Sequence, residues 1–285
     1  MSEALGASPL TGPVMLAAFE GWNDAGGAAT QALVHLHEMW GAEVVDELDP
    51  EDYHDFQVNR PTVAVGEDGV RTITWPSTSI AVADRPVDEE RVVLVHGIEP
   101  SMRWRRYCAE LLDAAERLGV RTVVTVGALL ADVPHTRPIP VTATAEDPAV
   151  QATLRLDAST YEGPTGIVGV LGHEAARRGM RALSVWGAVP HYVAHPPSPK
   201  ATLALLQRLE ELLGEPVPLG ELQDDAEAWQ HGVDELAAED TEIAEYVAAL
   251  EEAKDTAELP EASGEAIARE FERYLRRRDP GPGAS

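Results

Sequence analysis

Short apolar runs alternate along the chain with longer stretches of helical period. Val14-Met15-Leu16-Ala17-Ala18-Phe19 is apolar without a break, the pattern of a strand buried on both faces. Gly41-Ala42-Glu43-Val44-Val45-Asp46-Glu47-Leu48, Val92-Val93-Leu94-Val95-His96-Gly97, Thr122-Val123-Val124-Thr125-Val126-Gly127 and Ala182-Leu183-Ser184-Val185-Trp186-Gly187 read as further strands. Between them, Leu33, Leu36, Met39 and Trp40 mark one helix, with Asn23 or Asp24 as its natural N-cap. Met102 to Leu118, closed by Gly119, predicts a second, and Gly163 to Met180 a third. Ser198-Pro199 opens a fourth through Leu203, Leu206, Leu209 and Leu213. Residues 50–85 are rich in Pro, Asp and Gly. There Thr62–Val65 and Val70–Trp75 flank an Asp-Gly pair and predict a β-hairpin.

Buried strands alternating with helices predict a mostly parallel sheet covered on both faces, a three-layer α/β/α sandwich. In such sheets the loops leaving the strand carboxyl ends build the site. Here those loops are residues 20–27, 97–101, 127–140 and 187–199.

The character of the chain changes near residue 214. Leu222, Ala226, Trp229, Val233 and Leu236 follow helical spacing, as do Ile243, Tyr246, Val247 and Leu250, and then Ile267, Phe271 and Tyr274. Residues 210–285 hold 22 acidic and 6 basic side chains, so −16 of the total −27 sits there. We therefore expect a core domain over 1–213, an acidic helical extension over 214–278 and a disordered tail over 279–285. The acidic helix faces are most simply solvated. Their apolar stripes must pack on the core, on each other or on a partner.

A charge of −27 over 285 residues makes nucleic acid and anionic membrane poor partners. No run of 18 uncharged apolar residues predicts a membrane-spanning helix, and the N-terminal Met1–Gly6 does not read as a secretory signal. One cysteine, Cys108, excludes an intrachain disulfide framework and points to a cytoplasmic setting. Cys108 lies inside a predicted helix, where a buried structural thiol is the simplest reading.

Common catalytic signatures are missing: there is no phosphate-binding Gly-rich loop with Lys, no Gly-x-Ser-x-Gly elbow and no His-Glu-x-x-His. Four loops still carry candidate chemistry. Trp22, Asn23 and Asp24 stand between a strand and a helix, where free N–H groups can hold an anion. The bland alternative is a capped helix start with Trp22 packed as cover. In Asp132-Val133-Pro134-His135-Thr136-Arg137-Pro138, His135 could act as a base oriented by Asp132, with Arg137 clamping an anion. The alternative is a salt-bridged loop locked by prolines. Thr165 precedes a helix carrying Gly166, Gly169 and Gly172, which serves either a ligand or close packing. His191, Tyr192 and His195 sit among prolines, which argue against the helix that a two-histidine metal pair would need. No metal and no cofactor are expected.

Together these blocks resemble a known family. Phe19-Glu20-Gly21-Trp22-Asn23-Asp24-Ala25-Gly26, Gly127–Pro138, Tyr161–Gly166 and Pro190–Val193 are similar, in order, to the blocks of the proteasome assembly chaperone two family, in its bacterial, actinobacterial-like branch. The resemblance covers about residues 14–213. It implies an α/β/α sandwich akin to phosphorylase and peptidyl-tRNA-hydrolase-like folds, and homo-oligomers, often trimers. It also implies proteasome subunits as partners, since relatives assist assembly of the proteasome α ring. Some relatives insert a terminal hydrophobic–Tyr–any tripeptide between α subunits. This sequence ends Gly283-Ala284-Ser285 and carries Tyr274 before Arg276-Arg277-Arg278, so that mode is not expected of it. Two functions follow: a non-catalytic oligomeric assembly or interaction factor, or an enzyme or small-ligand binder with its pocket at the strand carboxyl ends.

Overall fold

The computed structural model describes residues 10–66, 68–84 and 90–258. Among the described residues there are nine strands: β1 (Val14–Glu20), β2 (Glu43–Leu48), β3 (Thr62–Val65), β4 (Arg71–Thr74), β5 (Thr78–Asp84), β6 (Arg91–Ile98), β7 (Thr122–Ala131), β8 (Val141–Ala145) and β9 (Arg181–Pro190). Seven form one sheet in the order β2-β5-β6-β1-β7-β9-β8. Its centre, β6, β1, β7 and β9, is parallel. β2–β5, β5–β6 and β8–β9 pair antiparallel. β3 and β4 form the separate hairpin expected from the Asp-Gly pair.

The alternation along β1 explains the layers. Val14, Leu16 and Ala18 face one core, filled by Leu33 and Leu36 of α1 (Ala28–Met39) and by Leu205, Leu206 and Leu209 of α6 (Pro199–Leu213). Met15, Ala17 and Phe19 face the other, filled by Tyr107, Leu111 and Leu112 of α3 (Trp104–Arg117) and Ile167 and Leu171 of α5 (Ile167–Arg177). A strand with both faces covered must be apolar at successive positions, which is why β1 was legible as an unbroken run.

Two strands and two short helices escape the sequence pattern, the first of these helices being α2 (Pro50–Tyr53). β5 begins with Thr78 and Ser79 inside the Pro- and Gly-rich segment. β8 alternates Val-Thr-Ala-Thr-Ala where the sequence predicts a long loop, and α4 (Pro148–Leu154) follows it. β7 and β9 also run beyond the predicted Gly127 and Gly187, paired from Thr122↔Arg181 to Ala131↔Pro190. β1 stops pairing with β7 at Ala17↔Thr125. The β7–β9 arm therefore projects past the central strands, and its open edge is met by the 20–27 loop through an Asp24↔Ala128 bridge.

At the core of this arm, Gly127 lets the Trp186 ring lie flat on the sheet: a Cβ there would sit 2.6 Å from the ring.

Beyond α6, α7 (Leu222–Glu239) packs along α6 and α8 (Thr241–Glu258) along α7. Val217 is buried in the α1–α6 core, with Leu219 and Leu222 packed against it. The expected helix near 267–274 and the tail 279–285 lie outside the described residues. Among the described residues no helix is long and apolar enough to cross a membrane.

Candidate functional site

The candidate residues fall into two groups. In the first, Asn23 and Asp24 belong to the loop after β1. Gly27, at φ 65°, occupies the α1 N-cap position, not Asn23 or Asp24. Asp24 caps from further back, reaching over the tight turn Ala25–Gly27. Its carboxylate accepts from Ala29 N at 2.6 Å, from Thr30 N at 3.3 Å and from the Thr30 hydroxyl. Burial raises its pKa, and those three hydrogen bonds oppose the rise. Glu20 is raised too, first by burial and then by the charge of Asp24. Asp24 thus spends its acceptors on the helix start, and its charge opposes an anion there.

Asn23 is 1% exposed. Its Nδ2 donates to Glu99 Oε1 at 2.8 Å, and the same oxygen accepts from Ile167 N at 2.9 Å. Glu99 therefore ties the β1 loop to the first turn of α5 and satisfies one of that helix's free N–H groups. Asn23 Oδ1 is buried without a hydrogen-bond partner. Its amide lies so close to Gly166, the α5 N-cap, that a Cβ there would collide with it. Thr165, one residue earlier, is exposed. Trp22 is 67% exposed, so it does not pack as cover over the loop.

The second group assembles around the end of the β7–β9 arm. His135, 1% exposed, is held on three sides. Tyr192 Oη accepts from His135 N at 2.7 Å and lies 2.7 Å from Nδ1. His135 Nε2 lies 3.0 Å from Asp234 Oδ1 of α7. One proton arrangement satisfies all three. Tyr192 accepts from the backbone and donates to Nδ1, and Nε2–H donates to Asp234. His135 is therefore oriented by Asp234 and Tyr192, not by Asp132 as its spacing suggested. Asp132 instead meets His191 Nδ1 at 3.2 Å and accepts from Tyr246 Oη at 3.1 Å.

Arg137 does clamp anions, but they are the chain's own. Nε and Nη2 donate to the two carboxylate oxygens of Asp255 at 3.0 and 2.8 Å, and Nη1 donates to Glu251 at 3.1 Å. This is a bidentate fork, the stronger form of the pair. Hydrogen bonding to Arg137 holds the Asp255 carboxyl below its ordinary value. Thr136 also donates to Glu251. Lys200, in the first turn of α6, donates to His135 O and Gln230 Oε1. Burial lowers its pKa, and Asp234 opposes the fall. Around these bonds the rings of His191, Tyr192 and Tyr246 meet edge to face at 5.4–6.0 Å.

Sequence reasoning missed Glu99, Lys200, Asp234, Tyr246, Glu251 and Asp255. The acids were lost among many others on helix faces read as solvated. Lys200 carried a signal: it is one of two lysines in the chain.

Burial pushes the Cys108 thiol up to about 12, which suits packing and not nucleophilic attack. His191 begins a short 3-10 turn, so it does not share a helix face with His195. Among the described residues no group of three or more His, Cys, Asp or Glu side chains is placed to hold a metal ion.

Fold and site define an α/β/α protein whose strand-end loops are occupied by its own acidic helices. The PAC2 family matches residues 18–237, and the chain belongs to that family. Its match continues through most of α7, past the segment where the sequence blocks were recognised. A PAC2 family protein from Streptomyces avermitilis is 57% identical, at TM-score 0.76, covering 82% of this chain and 99% of that one. A proteasome-assembly chaperone homologue from Mycobacterium tuberculosis is 50% identical, at TM-score 0.75, with the same 82% and 99% coverage. The archaeal proteasome activator PbaB from Pyrococcus furiosus, 18% identical at TM-score 0.62 over 79% of this chain and 93% of that one, shares the fold. No curated protein matches.

Proposed function

We propose that this chain is a proteasome-assembly-type factor that works by binding protein subunits, without catalysis, as a cytoplasmic homo-oligomer. The observation that carries the reading is the 50% identity, over nearly the whole of the relative, to a protein described as a proteasome-assembly chaperone homologue. The site chemistry supports it. The polar residues at the strand carboxyl ends are committed to holding the fold: Asp24 to α1, Glu99 to α5, His135 and Arg137 to α7 and α8. Trp22, Leu129 and Leu130 are exposed at the same end of the sheet, as apolar anchors for a protein partner would be.

Native-mass affinity capture from the source cell, with the full-length chain as bait, tests it. Recovery of proteasome α subunits is the expected result. Recovery of the bait's own oligomer alone counts against it.

One observation favours a ligand-binding alternative: the unpartnered, buried Asn23 Oδ1 beside Glu20, Asp24 and Glu99. A small molecule that raises the melting temperature of the wild type, but not of Asn23→Ala, would support it.

A further inference from the structure

The α7–α8 hairpin is attached unlike the helices of the sandwich. α6 buries Ala201, Thr202, Leu205, Leu206, Leu209, Leu212 and Leu213. Among the described side chains α7 buries Ala226, Val233 and Ala237, and α8 buries Val247. Its grip on the strand-end loops is instead polar: Asp234 on His135, Glu251 and Asp255 on Arg137, Gln230 on Lys200, Tyr246 on Asp132. Elements with few buried apolar contacts and solvent-exposed backbone hydrogen bonds open locally at a fraction of the free energy of global unfolding.

What the hairpin covers is unusual for this molecule. In a chain with 49 acidic and 22 basic residues, the core presents here a guanidinium, an ammonium and an imidazole within one loop cluster. The groups that meet them arrive from two acidic helices: Asp234 on the imidazole, Glu251 and Asp255 on the guanidinium, and the Gln230 amide oxygen on the ammonium. The surface thus has a demonstrated occupant chemistry: a helix that places Asp or Glu toward Arg137 and His135, with a tyrosine against Tyr192 and His191. We propose that His135, Arg137, Tyr192 and Lys200 form a receptor surface for acidic amphipathic helices, filled at rest by α7–α8 and open to a partner's acidic helix when the hairpin lifts. The inference rests on the interaction reading above and names the chemistry of the partner's docking element. Binding is then gated, because a partner competes with the chain's own helices and its apparent affinity falls by the fraction of open molecules.

Two measurements on the full-length protein decide it. The first is native-state hydrogen exchange followed by mass spectrometry. Amides of α7 and α8 are expected to exchange roughly 100-fold faster than those of β1 and β7, through local opening. Equal protection would overturn the proposal, since the surface would never be offered. The second uses a fluorescent synthetic peptide of residues 222–258, added in trans. Asp234→Asn/Asp255→Asn, which loosens the hairpin, is expected to bind it about tenfold more tightly than wild type. Adding Arg137→Glu in that background is expected to abolish the gain. No binding to the loosened variant, equal binding to wild type and variant, indifference to Arg137→Glu, or equal binding of a scrambled peptide of the same charge each overturns it. If the variants fail to fold, the exchange measurement on wild type still decides. Proteasome capture reads the partner's identity and this assay reads the surface, so either can fail alone.

Discussion

His135 and Asp234 meet at 3.0 Å across 99 residues of sequence, a buried imidazole donating to a carboxylate on the acidic extension. Through this bond and the Arg137 fork, the 127–140 loop, which gathers an acid, an imidazole and a guanidinium, becomes the seat of α7 and α8. Truncating His135 leaves the Tyr192 O–H without its acceptor and Asp234 without its donor, while Tyr192 still accepts from the backbone N–H of residue 135. His135→Ala is expected to lower stability by about 2–3 kcal/mol, as for a buried hydrogen-bonding group removed. Asp234→Ala removes the more exposed partner and is expected to cost about 1 kcal/mol or less. Urea titrations of the two variants check the order. A smaller loss for His135→Ala would contradict it.

Arg137→Met is expected to behave differently. Its partners are partly or fully exposed, so global stability should change by less than about 1 kcal/mol. The local effect should be larger. Limited proteolysis should cut faster within α8 while leaving the core resistant, with cleavage sites read by mass spectrometry.

The same contact predicts how the extension responds to acid. Asp255 has its pKa lowered from 3.8 by Arg137, so its folded value lies below its unfolded one. Its contribution is fully present above the unfolded value and is lost as pH falls through the folded value. Asp24 runs the other way. Its folded pKa is raised, so stability from that group is greatest below its unfolded value and declines as pH rises through the folded one. Below about pH 4, α8 should therefore loosen while the α1 start does not. Hydrogen exchange, corrected for intrinsic rates and compared between pH 6 and pH 3, should show protection lost in α8 and retained in α1.

At the first group, Gly166 has no room for a side chain because the Asn23 amide occupies the space. Gly166→Ala should cost about 1–3 kcal/mol through overpacking. Thermal melting measures it, and Asn23→Ala in the same background should recover part of the loss.

Much of the fold was legible because burial on both faces leaves an unbroken apolar run, as in β1, and because α6 carries its leucines at helical spacing. β5 and β8 were not: β5, paired on both sides by β2 and β6, opens with Thr78 and Ser79 inside a Pro- and Gly-rich segment, and β8, at the sheet edge, alternates Thr with Ala after a proline-rich stretch. At the site, the loops singled out in the sequence do meet: His135 and His191 both contact Tyr192, and Arg137 joins them through α8. The sequence could not show what they converge on. Asp132 lay nearer to His135 along the chain than Asp234, and nothing in the spacing of α7 distinguishes Asp234 from its solvated neighbours Asp225 and Glu235.

Trp22 separates a binding role from a structural one. At 67% exposure its ring adds little to the fold, so Trp22→Ser should leave the melting temperature nearly unchanged. If Trp22 anchors a partner, the same change should weaken capture of that partner at least tenfold, by about 1.4 kcal/mol or more.

As proposed above, this PAC2 family protein acts by binding proteasome subunits during assembly. The most direct measurement is co-expression of proteasome α and β subunits with and without the full-length chain, followed by native mass spectrometry of the purified assemblies. The account predicts a complex of the chain with α subunits that precedes the complete particle, and faster accumulation of that particle when the chain is present. Folded chain that appears in no complex, with particle yield unchanged, would contradict it.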